Sequence, residues 1–104
     1  MDLEKIRHAF ESVASNNQWQ HLHSPKNLSM ALTVEVGELL EHFQWLDEQQ
    51  ARNIKKDSVK QAEVAGEIAD VFMYLLILSD KLDIDLESAV EDKLNKLKKR
   101  FGMD

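Results

Sequence analysis

Cysteine is absent from this sequence of 104 residues, and helix-breaking residues are scarce, with one proline and three glycines. The absence of cysteine excludes a disulfide framework, a zinc–thiolate site and catalysis by a cysteine nucleophile. It is consistent with a reducing cytoplasm, where we expect this protein to act. Because proline and glycine interrupt helices, their scarcity favours a fold of the all-α class.

A long hydrophobic run and a targeting signal are also missing. The longest apolar stretch, Val71 to Leu78, is far shorter than the roughly 20 residues that span a bilayer. The N-terminus lacks the basic-then-apolar pattern of a signal peptide. We therefore expect a soluble protein that does not enter membranes, folded as a single domain over residues 1–104. A chain of this size buries only a moderate fraction of its surface, so we also expect a homo-oligomer.

Positive charge is in the minority, because 13 basic residues stand against 19 acidic ones and the net charge is −6. Neutralisation of phosphates drives most binding to DNA and RNA, so this balance argues against a nucleic-acid polymer as partner. The basic residues crowd the end of the chain, where they include Lys93 and Lys96. Such lysines either complement the dipole of a helix C-terminus or bind a substrate phosphate, and both interpretations stay open.

Apolar residues recur at helical spacing in four segments, which predicts helices over residues 2–16, 25–47, 58–81 and 86–100. Ser24 and Pro25 are the residue types of an N-cap and a first helical position. Asp57 or Ser58 would cap the third helix, and residues 48–57 are predicted to be a polar connection. The third helix is apolar on more than one face, so we expect its second face to meet another subunit.

Two acidic motifs dominate the sequence, Glu35-Val36-Gly37-Glu38 on the second predicted helix and Glu67-Ile68-Ala69-Asp70 on the third. Carboxylates three residues apart share one face of an α-helix, and His42 lies on the same face as the first pair. If the two helices pack antiparallel with these faces opposed, four carboxylates converge. Their mutual repulsion requires a compensating cation. Oxygen ligands favour Mg²⁺ or Mn²⁺, and Mg²⁺ commonly binds substrate phosphates as well.

Other interpretations of the acidic motifs are weaker. Ordinary solvated glutamates usually pair with a lysine or arginine one turn away, but Glu35 and Glu38 have no such neighbour. Lys60 is too far along its helix to pair directly with Glu67. A di-iron carboxylate bundle uses Glu-x-x-His on two helices, whereas His42 follows Glu38 by four residues and the third predicted helix has no histidine.

Three groups of residues carry a family resemblance. They are Trp19, His23, Pro25, Asn27 and Leu28; Glu35, Val36, Gly37, Glu38, Leu39, His42, Phe43, Gln44 and Trp45; and Glu67, Ile68, Ala69, Asp70, Val71 and Tyr74. In this combination they resemble the MazG-like, all-α nucleoside triphosphate pyrophosphohydrolases, and among them the small dCTP pyrophosphatases. The resemblance runs over about residues 3–101.

The resemblance implies a fold, a reaction and a set of site residues. The fold is a four-helix bundle completed by oligomerisation, as a homodimer or homotetramer. The reaction is the Mg²⁺-dependent cleavage of a nucleoside triphosphate to the monophosphate and pyrophosphate, which clears unwanted nucleotides. Glu38 or Glu41 could orient the attacking water as general base, and we favour Glu38. The implied metal ligands are Glu35, Glu38, Glu67 and Asp70, and the implied substrate-binding residues are Trp19, His23, Trp45, Lys93 and Lys96.

Two positions depart from the dCTP-specific pattern. Leu97 stands where those relatives have an asparagine that contacts the base, and Phe10 replaces a histidine in an ungapped alignment. Loss of a polar contact weakens discrimination between bases, so another deoxynucleotide, a modified base or several nucleotides could be the substrate. A phosphoribosyl-ATP pyrophosphohydrolase is an alternative enzyme. The non-enzymatic alternative is a nucleotide-binding helical module with an oligomerisation or regulatory role.

Overall fold

The computed structural model describes residues 1–103 and contains five α-helices. They are α1 (Leu3–Asn16), α2 (Pro25–Glu41), α3 (Glu48–Arg52), α4 (Ser58–Lys81) and α5 (Leu86–Arg100), with 3₁₀ turns at Gln20–Leu22 and Asn53–Lys56. No β-strand occurs among the described residues. The all-α prediction is therefore confirmed, and α1, α4 and α5 match the predicted helices to within one residue.

Each long helix begins after a polar capping residue, whose side chain accepts a hydrogen bond from a backbone N–H in the first turn. These N–H groups have no acceptor within the helix itself. At α2 the Ser24 hydroxyl accepts from the Asn27 N–H, and Pro25 occupies the first turn as predicted. At α4 the capping residue is Asp57 rather than Ser58. Asp2 and Asp85 cap α1 and α5 in the same way.

The prediction that the second helix continues to residue 47 is wrong, because α2 ends at Glu41. The N–H groups of Phe43 and Gln44 both bond to the Leu40 carbonyl at 2.9 Å, which tightens the last turn and redirects the chain. A reciprocal capping box between Asp47 and Gln50 then starts α3. The predicted polar connection over 48–57 is thus mostly helical, and it buries Ile54.

Helices α2 and α4 form the central pair and run antiparallel. His42, at the end of α2, contacts Lys60 in the first turn of α4, whereas Asn27 near the start of α2 lines the same cavity as Tyr74 farther along α4. The pair buries Leu28 and Ile77 almost completely. The antiparallel arrangement of α2 and α4, which convergence of the acidic motifs requires, is therefore present. Helix α1 packs on the α4 side of this pair.

Helix α5 extends away from the central pair and touches the other helices mainly through α4. The radius of gyration is 16.6 Å, against about 13 Å for a compact chain of this length. Apolar side chains on α5 and along α4 stay exposed, with Leu94 51% and Ile68 55% accessible. Among the described residues, no helix combines the length and apolar character needed to cross a membrane. The expectation of a second subunit stays a prediction.

Candidate functional site

Three carboxylates from two helices meet at the interface of α2 and α4. Glu35 and Glu38 lie one turn apart on α2, Glu67 lies on α4, and one carboxylate oxygen from each is within 4.8 Å of the others. Negative charges this close repel strongly in a partly desolvated site. The group therefore needs either a shared proton or a bound cation to be stable.

The pKa values of the cluster reflect this repulsion. Burial, followed by the negative charges of Glu38 and Asp70, raises the pKa of Glu35 from its usual value of 4.5 to about 7. Burial and the neighbouring Glu38 carboxylate also raise the pKa of Glu67. Burial raises the pKa of Tyr74, with the Glu35 charge as the next contribution. The site therefore attracts positive charge.

Two oxygens of the cluster fit a metal ion. Glu35 Oε2 and Glu67 Oε2 are buried and have no hydrogen-bond partner. Buried polar atoms are normally paired, so an unpaired carboxylate oxygen in this position indicates a missing partner. Carboxylate ligands from facing helices suit a hard divalent cation, which supports the donor set that the sequence predicted.

Asp70, the fourth predicted ligand, does not join the group of three. It lies one turn beyond Glu67 on α4, close enough for its charge to raise the pKa values of Glu35 and Glu67. The structure therefore brings together three of the four predicted ligands and leaves the fourth beside them. Metal binding by Asp70 stays a prediction.

The sequence did not predict a polar contact that lies beside the cluster. Lys60 Nζ lies 3.0 Å from His42 Nδ1 and 3.7 Å from a carboxylate oxygen of Glu63. On its other side, His42 Nε2 lies 3.9 Å from Glu67 Oε1. Lys60 is too far from Glu67 along α4 for a direct pair, but it reaches that residue through a histidine of α2. The position of His42 on the acidic face was the available signal.

An aromatic-lined cavity of about 470 Å³ lies between α2, α4 and the loop that precedes α2. Its lining includes two of the predicted substrate-binding residues, Trp19 and His23, together with Asn27 and Tyr74. The Tyr74 phenol connects the cavity to the acidic cluster, since the charge of Glu35 acts on it. Asn27 and Tyr74 belong to the family motifs of the sequence, but neither is among the predicted substrate-binding residues.

Phe10 of α1 forms part of the wall behind this cavity. Its ring centroid is 6.0 Å from that of His23 in a nearly parallel arrangement, and also 6.0 Å from that of Tyr74, edge to face. Burial lowers the pKa of His23, which favours the neutral imidazole. The histidine-to-phenylalanine difference noted in the sequence therefore lies directly behind two residues that line the cavity, His23 and Tyr74.

The other predicted substrate-binding residues lie outside the cavity within one chain. Trp45 follows the end of α2 and is 85% exposed. Lys93 and Lys96 are exposed on α5, and neither forms an ion pair with any described residue. The structure thus brings Trp19 and His23 together near the acidic cluster but not Trp45, Lys93 or Lys96. Their roles stay predictions.

Comparison with known proteins identifies relatives over most of the chain. The model of the MazG-like family matches residues 30–104. The chain is 34% identical over 99 residues to dCTP pyrophosphatase 1 of Homo sapiens and to that of Rattus norvegicus, with 95% of this chain covered. It spans only 58% of the length of these two relatives. A crystal structure of a pyrophosphatase from Archaeoglobus fulgidus superposes with a TM-score of 0.84 at 32% identity, covering 97% of this chain and 93% of that one.

Proposed function

This chain belongs to the MazG-like family, and we propose that it is a magnesium-dependent nucleoside triphosphate pyrophosphohydrolase. It cleaves a nucleoside or deoxynucleoside triphosphate such as dCTP to the monophosphate and pyrophosphate and so removes unwanted nucleotides from the pool. The observation that carries this proposal is the convergence of Glu35, Glu38 and Glu67 beside an aromatic cavity. A metal-binding end and a base-binding end are what such a substrate requires.

The residues have distinct roles in this proposal. Glu35, Glu38, Glu67 and Asp70 would hold Mg²⁺, and Mn²⁺ would substitute for it because both ions prefer oxygen ligands. When bound, the ion supplies charge neutralisation on the polyphosphate and acidifies a water molecule. Glu38 would orient the attacking water and accept its proton as general base, so that the bond between the α and β phosphates breaks and pyrophosphate leaves. Trp19 and His23 border the cavity that receives the base.

A homodimer or homotetramer completes the site in this proposal. Helix α5 carries Lys93 and Lys96 away from the central pair, and Trp45 is largely exposed. A second copy that covers the apolar faces of α4 and α5 could carry these three residues to the cluster of the first copy. The lysines would then bind the outer phosphates, and Trp45 would stack on the base.

The proposal is tested with purified protein, Mg²⁺ and a panel of ribo- and deoxynucleoside triphosphates, with all products identified. We expect equal amounts of monophosphate and pyrophosphate, which disappear with a chelator and return with Mg²⁺ or Mn²⁺. Phosphoribosyl-ATP belongs in the panel, since its preferential cleavage would point to the alternative enzyme. Mg²⁺-dependent nucleotide binding without any pyrophosphate over hours would instead identify a non-catalytic module.

A further inference from the structure

Beside the metal-binding cluster, His42 bridges the two central helices. It occupies the C-cap of α2, where its side chain is 17% exposed. Its Nδ1 contacts Lys60 of α4 at 3.0 Å, and its Nε2 faces Glu67 Oε1 at 3.9 Å. His42 itself does not join the group of possible ligand atoms. It therefore contacts a predicted ligand without being placed as one.

The contact with Lys60 determines which ring nitrogen of His42 carries the hydrogen. A lysine ammonium group only donates hydrogen bonds, so His42 Nδ1 is the acceptor. An imidazole that accepts through Nδ1 carries its hydrogen on Nε2, the atom that faces Glu67. The 3.9 Å separation is too long for a hydrogen bond, and a closure of about 1 Å would form one.

We propose that His42 is a positioning residue, which Lys60 holds as the Nε2–H tautomer so that it orients Glu67 for cation binding. The Nε2–H group directs Glu67 Oε1 toward the histidine, which leaves the buried and unpartnered Oε2 for the cation. Groups that orient a metal ligand in this way typically change metal affinity about 10- to 100-fold when they are removed. This proposal rests on the metal-binding part of the proposed function.

The first test is a titration of nucleotide-free protein with Mn²⁺ alone, followed by the electron paramagnetic resonance signal of the free ion. We expect His42→Leu to weaken Mn²⁺ binding about 10- to 100-fold. His42→Gln keeps an amide donor and an acceptor, so it should restore most of the affinity. The control is His8→Leu, which removes an exposed histidine from α1. Unchanged affinity in His42→Leu overturns the proposal.

The second variant, Lys60→Met, separates positioning from simple electrostatics. Removal of a positive charge near an acidic site should tighten cation binding if charge alone matters. Positioning predicts the opposite, because His42 loses the contact that fixes its tautomer. The control is Lys56→Met in the 3₁₀ turn before α4. Tighter or unchanged Mn²⁺ binding in Lys60→Met contradicts the proposal, and this variant is informative even if His42→Leu does not fold.

The tautomer of His42 can be observed by NMR spectroscopy without bound metal and without enzymatic activity. Long-range ¹H–¹⁵N spectra of the metal-free protein distinguish the two imidazole tautomers, and we expect the Nε2–H form for His42 and its loss in Lys60→Met. An Nδ1–H form in the wild-type protein overturns the proposal. Failure of the proposed function has a different signature, since the wild-type protein would bind Mn²⁺ and show the expected tautomer but release no pyrophosphate.

Discussion

Glu35 on α2 and Glu67 on α4 face each other across the central helix pair, and each buries an Oε2 atom that has no hydrogen-bond partner. Burial raises the pKa of both side chains, so the cluster is costly to ionise unless positive charge is nearby. Because the acidic cluster destabilises the folded protein when no cation is bound, binding of a cation there should stabilise the folded state.

Removal of a cluster carboxylate should affect activity and stability in opposite directions. We expect Glu38→Gln to lower the rate of pyrophosphate release about 100- to 10,000-fold, as loss of a general base does. The same variant should melt at a higher temperature than the wild-type protein when metal is absent, because repulsion within the cluster is reduced. The control is Glu63→Gln, which removes an exposed carboxylate from the facing helix α4. A metal-free melting temperature of Glu38→Gln below that of the control would contradict this account.

The stability of the metal-free protein should decrease as pH rises. The pKa of Glu35 is 4.5 without burial and about 7 in the folded chain, so between these values the folded state binds more protons than the unfolded state. The resulting stabilisation is fully present below about pH 4.5 and is lost as pH rises through about 7. Melting curves from pH 5 to pH 8 measure this decrease, and Mg²⁺ should raise the melting temperature at pH 8 far more than at pH 5. Glu35→Gln should reduce both effects, and a pH-independent Mg²⁺ shift would contradict the assignment.

The cavity residue Trp19 should affect substrate binding without affecting the metal. Stacking of a base on an aromatic ring contributes about 1–3 kcal/mol, so we expect Trp19→Ala to raise KM roughly 5- to 150-fold. Mn²⁺ affinity of the nucleotide-free protein should stay within about twofold, because Trp19 lines the cavity and not the cluster. Met30→Ala, at an exposed position of α2, is the matched control. An unchanged KM in Trp19→Ala would contradict the assignment of this cavity to binding of the substrate base.

The exposed apolar face of α5 should determine the oligomeric state. Leu94 is half exposed within a single chain, and a charge at this position would oppose burial against a second copy. We expect sedimentation analysis to find a dimer or tetramer for the wild-type protein and a smaller species for Leu94→Asp. Glu91→Gln, a polar change on the same helix, should keep the assembly intact. A wild-type monomer that is fully active would contradict a site completed by oligomerisation.

Local signals account for what the sequence predicted well. The caps at Ser24 and Asp57 and the three-residue spacing of Glu35 and Glu38 act within a single helix, so the helix starts and the acidic face could be derived from neighbours in the chain. Helix α2 ends at Glu41, where the Phe43 and Gln44 N–H groups tighten the last turn, and a capping box then starts α3. Helical periodicity continued past this point and carried no sign of the break.

Contacts between helices account for most of what was missed. Lys60 reaches Glu67 only through His42, which belongs to a different helix, so spacing along α4 could not reveal the connection. The wall formed by Phe10 and Tyr74 similarly joins α1 to α4. Helical spacing also could not reveal that Asp70 lies outside the group of three carboxylates. Residues that share a helical face need not place their carboxylate oxygens at one point.

The most direct test of the central claim follows dCTP by ³¹P nuclear magnetic resonance in the presence of Mg²⁺, with wild-type protein and Glu38→Gln side by side. The account predicts that wild-type protein converts the triphosphate to equal amounts of dCMP and pyrophosphate. It also predicts that Glu38→Gln leaves nearly all of the dCTP intact over the same time. Release of inorganic phosphate and dCDP, or equal pyrophosphate release by both proteins, would contradict the assignment of the carboxylate cluster to cleavage between the α and β phosphates.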